Sequence, residues 1–230
     1  MYQISKTQSQ PRITGSTRDF VYNTLKKRII EWELEPGTKI SENEIAIELN
    51  VSRTPAREAF LMLAQEELIG IYPQKGSIVA EIDLELVEEG RFVRENVERA
   101  IVREACKEFG EDQLFQLETN ITMQELCLKK GSHHRLFELD EEFHRLLFEG
   151  CNKIRTWKLI RQMNSHFDRL RVLRLASNPD WNVVVTQHKE LFNFISNGEQ
   201  DLAEKLIIEH LNLVNFEKEE LKLHYSSYFK

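Results

Sequence analysis

No run of about 18 apolar residues occurs anywhere in the 230-residue chain, so no membrane-spanning helix is expected. The opening stretch MYQISKTQSQPRITGSTRDF is polar and lacks the apolar segment of a secretory signal, which makes the cytoplasm the expected compartment. Cysteine is scarce: Cys106, Cys127 and Cys151 are odd in number and form no C-x-x-C pair. That argues against a disulfide framework and against a thiolate zinc site. Proline and glycine are scarce too, 5 and 9 residues, and four of the prolines and five of the glycines fall in the first 90 positions. A basic excess is also missing, since the net charge is −7. Over residues 1–75 ten Lys/Arg balance ten Asp/Glu, so the whole deficit lies in the rear of the chain. A neutral front and an acidic rear predict two domains with different partners.

The front has its punctuation in a telling order. Residues 1–16 read as a flexible tail. DFVYNTLKKRIIEWEL places Phe20, Leu25, Ile29 and Ile30 on one side of a helix that EPG (35–37) is expected to stop. Ser41 with Glu44 three residues on has capping-box spacing and opens a second helix through Ile45, Ala46 and Leu49. After the short turn NVS, Ser52 is an N-cap candidate for a third helix, Arg53 to about Glu67, buried through Ala56, Ala59, Phe60 and Leu63. LIGIYPQKGSIVAEI then reads as two strands joined by a PQKG turn. Three short helices followed by a hairpin spell a winged helix-turn-helix over 17–80, with a linker at 81–86.

Pro55 falls in the first turn of the third helix, where its missing N–H breaks no intrahelical bond. Arg53 and Arg57 stand i,i+4 on the face opposite Phe60 and Leu63. A recognition helix presents such residues to base edges, and arginine pairs bidentately with guanine. Lys75 and Gly76 at the hairpin tip are placed to approach the backbone or the minor groove. A pair of arginines alone reads more readily as a solvated face; the cap, the turn, the proline and the wing together favour DNA.

These residues carry a resemblance. VSRTPAREAF (51–60) and PGTKISENEIA (36–46) resemble the winged-helix phrases of the GntR family of bacterial transcription regulators. The resemblance implies that Ser52, Arg53, Thr54, Arg57 and Gly76 contact an operator. Asn43 departs from it, since some relatives carry a basic residue there.

From residue 84 onward helical periods dominate. Val87, Phe92, Val97, Ile101 and Ala105 recur at helical spacing, and further helices are expected near 111–129, 134–150, 153–176, 181–197 and 200–222. Six helices with short connections predict an all-α antiparallel bundle over 87–225, and so a mostly α chain overall. Of seven histidines, His133, His134 and His224 read as surface groups. His144, His166, His188 and His210 each fall on the apolar side of a helix, and Asp140 lies one turn before His144. Buried polar groups need partners, and imidazoles converging with a carboxylate suit a divalent cation such as zinc, nickel or manganese. A metal-free polar pocket is the other reading.

DEEFH (140–144), QHKELFNFI (187–195) and EKLIIEHL (204–211) resemble the FCD effector domain of the FadR/VanR branch of the same family. The resemblance implies Asp140, His144, His188 and His210 as metal ligands, with zinc or nickel as the cofactor. Arg94 and Glu98 match the first helix of that domain. Arg94 is the candidate partner of an effector carboxylate, and His166 is a second candidate effector contact. The expected whole is a homodimeric, ligand-responsive transcription repressor that binds double-stranded operator DNA and senses a small carboxylate. A regulator with a purely structural metal is the alternative. A metal enzyme is the rival class, but no general base is evident: Glu141 and Glu142 are expected to point away from the Asp140/His144 face. Nor would an enzyme explain the front domain.

Overall fold

The computed structural model describes residues 16–74, 76–177, 181–213 and 218–230. Most of the expected tail, Lys75 and the stretch 214–217 within the expected last long helix lie outside the described residues. The expected class is borne out: a helical chain with one small sheet.

The head begins with α1 (Thr17–Ile30), where the Ser16 hydroxyl accepts from the Asp19 N–H as a side-chain cap. The helix ends before EPG is reached, because Trp32 takes a left-handed φ of 65° and turns the chain. Next come β1 (Lys39–Ile40), α2 (Glu42–Glu48), α3 (Arg53–Gln65), β2 (Ile69–Tyr72) and β3 (Gly76–Val79). The sheet is antiparallel in the order β1-β3-β2, and the hairpin closes with Tyr72 opposite Gly76. Gly76 has φ 87°, a conformation that glycine adopts without steric cost. Ser41 and Ser52 hold the N-cap positions of α2 and α3, but neither hydroxyl makes a capping bond. Val21, Leu25, Ile29, Phe60, Leu63, Leu68 and Val79 fill the head's core. At about 1.5–3 kcal/mol per fully buried large aliphatic or aromatic side chain, this packing outweighs the weak intrinsic propensity of such short helices.

The rear domain comprises α4 (Leu84–Ala105), α5 (Glu111–Lys130), α6 (His133–Gly150), α7 (Ile154–Met163), α8 (Ser165–Ala176), α9 (Trp181–Ser196), α10 (Gln200–Asn212) and α11 (Lys218–His224). α4 packs along α10 and α8, while α5 packs against α6 and α9. Asp83 caps α4, so the helix starts inside the expected linker. The helix expected over 153–176 is broken at Asn164, which ends α7 and begins α8. Asparagine competes for backbone hydrogen bonds and favours such ends. Gly90 of α4 fits against this break: a Cβ there would lie 3.1 Å from the Met163 carbonyl oxygen and 3.2 Å from Asn164 Oδ1. The break changes the helical phase, so Leu159 and Met163 face outward instead of sharing a stripe with His166. Phe92, expected in the core, is 62% exposed, while Arg94 and Glu98 occupy the buried face of α4.

Head and bundle meet along α1 and α8. Beside the linker, Ile82 pairs with Phe229 in a parallel bridge, and Lys230 Nζ reaches Asp83 at 2.8 Å. In the same region Arg169 of α8 is fully buried over the Trp32 ring, 5.3 Å from its centroid. None of its three nitrogens has a hydrogen-bond partner among the described residues.

Candidate metal centre and nucleic-acid interface

Asp140 and His144 stand one turn apart on α6, His188 comes from α9 and His210 from α10. All four are buried, and one donor atom from each lies within 4.8 Å of the others. His144 Nε2 is 3.2 Å from His210 Nε2 and 4.0 Å from Asp140 Oδ2, and His188 Nε2 is 3.7 Å from Asp140 Oδ1.

The outer nitrogens explain why the inner ones converge. His144 Nδ1 donates to Glu98 Oε2 at 2.6 Å, and Arg94 Nε holds the other oxygen of that carboxylate at 2.5 Å. Leu139's carbonyl can only accept, so it takes an N–H of Asn120 (3.0 Å). Asn120 Oδ1 then accepts from Gln124 Nε2 (2.6 Å), which turns Gln124 Oε1 toward His188 Nδ1 at 2.8 Å. His210 Nδ1 donates to Gln187 Oε1 at 3.0 Å. With all three Nδ1 atoms engaged outward, the three Nε2 atoms and the Asp140 carboxylate face one another. His188 Nε2, fully buried, has no hydrogen-bond partner among the described residues. Burial holds the pKa of His188 down to about 3 and that of His210 well below its usual value, so both rings are neutral donors of electron pairs. Burial alone would raise the Asp140 carboxyl, but the Arg171 guanidinium and the nearby imidazoles outweigh it and keep it ionised. Neutral imidazoles with outer hydrogen bonds, plus an ionised carboxylate, are the donor set a divalent cation requires. The residues fit.

The remaining expected positions fall in different places. Arg94 is committed to Glu98 and, at 3.3 Å, to Glu141; its Nη2 lacks a hydrogen-bond partner among the described residues. His166 does not join the cluster. It sits at the seam with the head, where Nδ1 accepts from the Asp83 N–H (3.0 Å) and Nε2 donates to the Glu67 carbonyl (3.2 Å). Both ring nitrogens are taken, which leaves none for an effector. Glu141 turns inward, contrary to expectation, and binds Arg161 and Arg171. A small cavity of about 20 Å³ adjoins the ligands, lined by Asp140, Arg171, Arg174, Trp181 and His210 among others. A second grouping, Glu31, His134 and Glu138, lies at the surface, where Lys27 Nζ already supplies positive charge 3.1 Å from Glu138. Gln124, Asn120, Gln187 and Arg171 were not singled out from the sequence. A buried i,i+4 Asn–Gln pair on one helix is the signal that points to the first two.

On the head, Ser52, Arg53, Thr54 and Arg57 are all exposed around the N-terminus of α3, and Gly76 is exposed at the wing. Arg53 Nε lies 3.8 Å from Glu42, a loose surface pairing. Ser52, free of a capping role, keeps its hydroxyl available.

A winged head on an FCD-type bundle is the build of a DNA-binding transcription regulator, not of an enzyme, and the sequence comparisons agree. The profile described as "Bacterial regulatory proteins, gntR family" matches residues 17–79, and the FCD domain matches residues 90–213. The chain is 31% identical over 224 residues to the HTH-type transcriptional repressor RspR of Escherichia coli (strain K12), covering 97% of both chains. It is 25% identical over 204 residues to the gluconate operon transcriptional repressor of Bacillus licheniformis, covering 86% of this chain and 84% of that one. Among solved structures, E. coli McbR/YncC shares the fold with a TM-score of 0.78 at 20% identity, over 92% of this chain and 100% of that one. The chain belongs to the GntR family of bacterial transcription regulators, in the group with an FCD domain. None of its described helices is long and apolar enough to cross a membrane.

Proposed function

We propose that the chain is a cytoplasmic repressor that binds operator DNA through Ser52, Arg53, Thr54, Arg57, Lys75 and Gly76, and responds to a small carboxylate through a metal-containing pocket. The observation that carries this reading is the convergence of the Nε2 atoms of His144, His188 and His210 on the Asp140 carboxylate, with every outer nitrogen engaged. Asp140, His144, His188 and His210 would hold zinc or nickel. Such an ion supplies a Lewis-acidic position for a carboxylate oxygen. Arg171 lines the adjoining cavity, and Arg94 Nη2 is the one donor of that guanidinium left for an incoming acid. The cavity holds about one water-sized group, so an organic acid enters only as the side chains at its mouth move aside.

Chelation tests the reading. Stripping the cation should leave helix content intact by circular dichroism and shift operator affinity. A bundle that unfolds on chelation makes the metal purely structural. Protein that holds no metal after reloading, by elemental analysis, sinks the centre altogether.

The homodimer would form through the outer face of α4 and α7. Phe92, Leu159 (64% exposed) and Met163 (50% exposed) lie there with Glu85 and Glu89 on one helix and Arg155 and Lys158 on the other. Opposite charges on adjoining helices make the patch self-complementary across a two-fold axis. Phe92→Glu should convert the dimer to monomer in analytical ultracentrifugation; an undisturbed dimer places the interface elsewhere.

A further inference from the structure

Glu66 ends the helix expected to enter the DNA groove: it is the C-cap of α3. Its carboxylate does not point to solvent. It accepts from Lys26 Nζ at 2.6 Å, from the Ser165 hydroxyl at 2.8 Å and from the Tyr22 hydroxyl. Lys26 and Tyr22 belong to α1, but Ser165 opens α8 of the bundle. Lys26 also donates to the Arg161 carbonyl in the last turn of α7 at 3.0 Å. The Lys26 and Glu66 side chains are only 10% and 9% exposed, so this is an ion pair taken out of water.

The same α7/α8 corner reaches the four-ligand pocket. Arg161 pairs with Glu141 and, at 2.6 Å, with Asp168. Glu141 pairs with Arg171, and Arg171 pairs with Asp140, one of the four converging donors. A line of largely buried ion pairs therefore runs from Asp140 through Arg171 and Glu141 to the partly exposed Arg161 guanidinium, and the backbone carbonyl of the same Arg161 continues it by a hydrogen bond to Lys26 and so to Glu66. Buried ion pairs contribute little net stability, because desolvation offsets the Coulomb gain. What they do well is hold one arrangement, since removing any member leaves its partner uncompensated. How much of Asp140's charge Arg171 must balance depends on whether the pocket's donors share a cation. That balance sets how Arg171 divides itself between Asp140 and Glu141, and hence how Arg161 sits at the corner that Lys26 and Glu66 grip.

We infer that Glu66 is the positioning residue through which the state of the four-ligand pocket reaches the recognition helix. This inference rests on the proposed metal-containing regulator and adds the junction between its two halves. Glu66 touches neither DNA nor the pocket; it fixes the end of α3 to the bundle.

The test compares operator affinity of metal-stripped and zinc-reloaded protein, in the wild type and in Glu66→Gln, which keeps the shape and removes the charge. Zinc affinity and helix content are measured on the same samples. The wild-type affinities should differ by roughly fivefold or more, a normal allosteric coupling. In Glu66→Gln the ratio should fall toward one, with zinc affinity unchanged. Lys26→Met should do the same, and the double variant should be no worse than either single one, because the pair acts as a unit. Ser165→Ala, which removes one of the hydrogen bonds to the Glu66 carboxylate and leaves the ion pair in place, should lower the ratio part-way. A Glu66→Gln protein that keeps the wild-type ratio overturns the inference. So does a wild type that binds zinc but whose operator affinity ignores it. A wild type that binds neither zinc nor nickel refutes the proposed centre itself, and this inference with it.

Discussion

Alanine at both His188 and His210 is expected to leave the purified protein without stoichiometric metal. Removing a single outer hydrogen-bond partner of a metal ligand typically costs about 10–100-fold in affinity, and this change removes two direct donors. Asp140 and His144 remain, one turn apart on a single helix, and a two-donor remnant holds a divalent ion weakly in competition with water. The double variant also leaves a void beside Phe143, which stacks on His188 with ring centroids 4.0 Å apart. Some loss of stability is therefore expected as well. A urea titration run beside the elemental analysis separates the two effects. Full metal stoichiometry in a folded double variant would show that other groups hold the ion.

Arg57→Ala should cost operator binding roughly 1–3 kcal/mol, the value of a good bidentate arginine–guanine pair. Arg57 is exposed in the second turn of α3 and has no ion-pair partner among the described residues, so the change removes no ion pair seen there. Arg53→Ala should behave similarly, reduced by whatever the loose contact with Glu42 contributes. The signature of base reading is a loss of discrimination at one base pair with the salt dependence nearly unchanged. A phosphate contact would instead weaken all sequences alike and lower the salt slope by about one unit. Competition binding on single-base operator variants at two salt concentrations decides it. Undiminished specific binding would remove Arg57 from the reading surface.

The head was legible in nearly every element because its signals are local: a proline in a first turn, a left-handed glycine in a hairpin, apolar residues on one helical face. What failed there was equally local. EPG does not end α1, since Trp32 turns the chain first, and the two N-cap serines make no capping bonds. In the bundle, the inward faces of His144, His188 and His210 followed from helical period alone, and the structure brings those rings together with Asp140. The error over His166 has one cause: a continuous helix was read across Asn164, and the break there shifts the phase. Phe92 misled because apolar spacing cannot tell a core face from an exposed apolar position. Glu141 misled because α6 is surrounded, and three arginines from other helices turn its second face into an interior. Such long-range pairings leave no trace in a local pattern.

Arg169 bears on how readily the head moves. Its guanidinium is sealed beneath Trp32 without an acceptor among the described residues, and burial lowers its pKa to about 10. A cation kept from water in this way is a standing cost of the closed arrangement, refunded by hydration once the seam parts. Parting the seam at Trp32 would relieve that cost, so Arg169 lowers the stability of this packing and does not lock it.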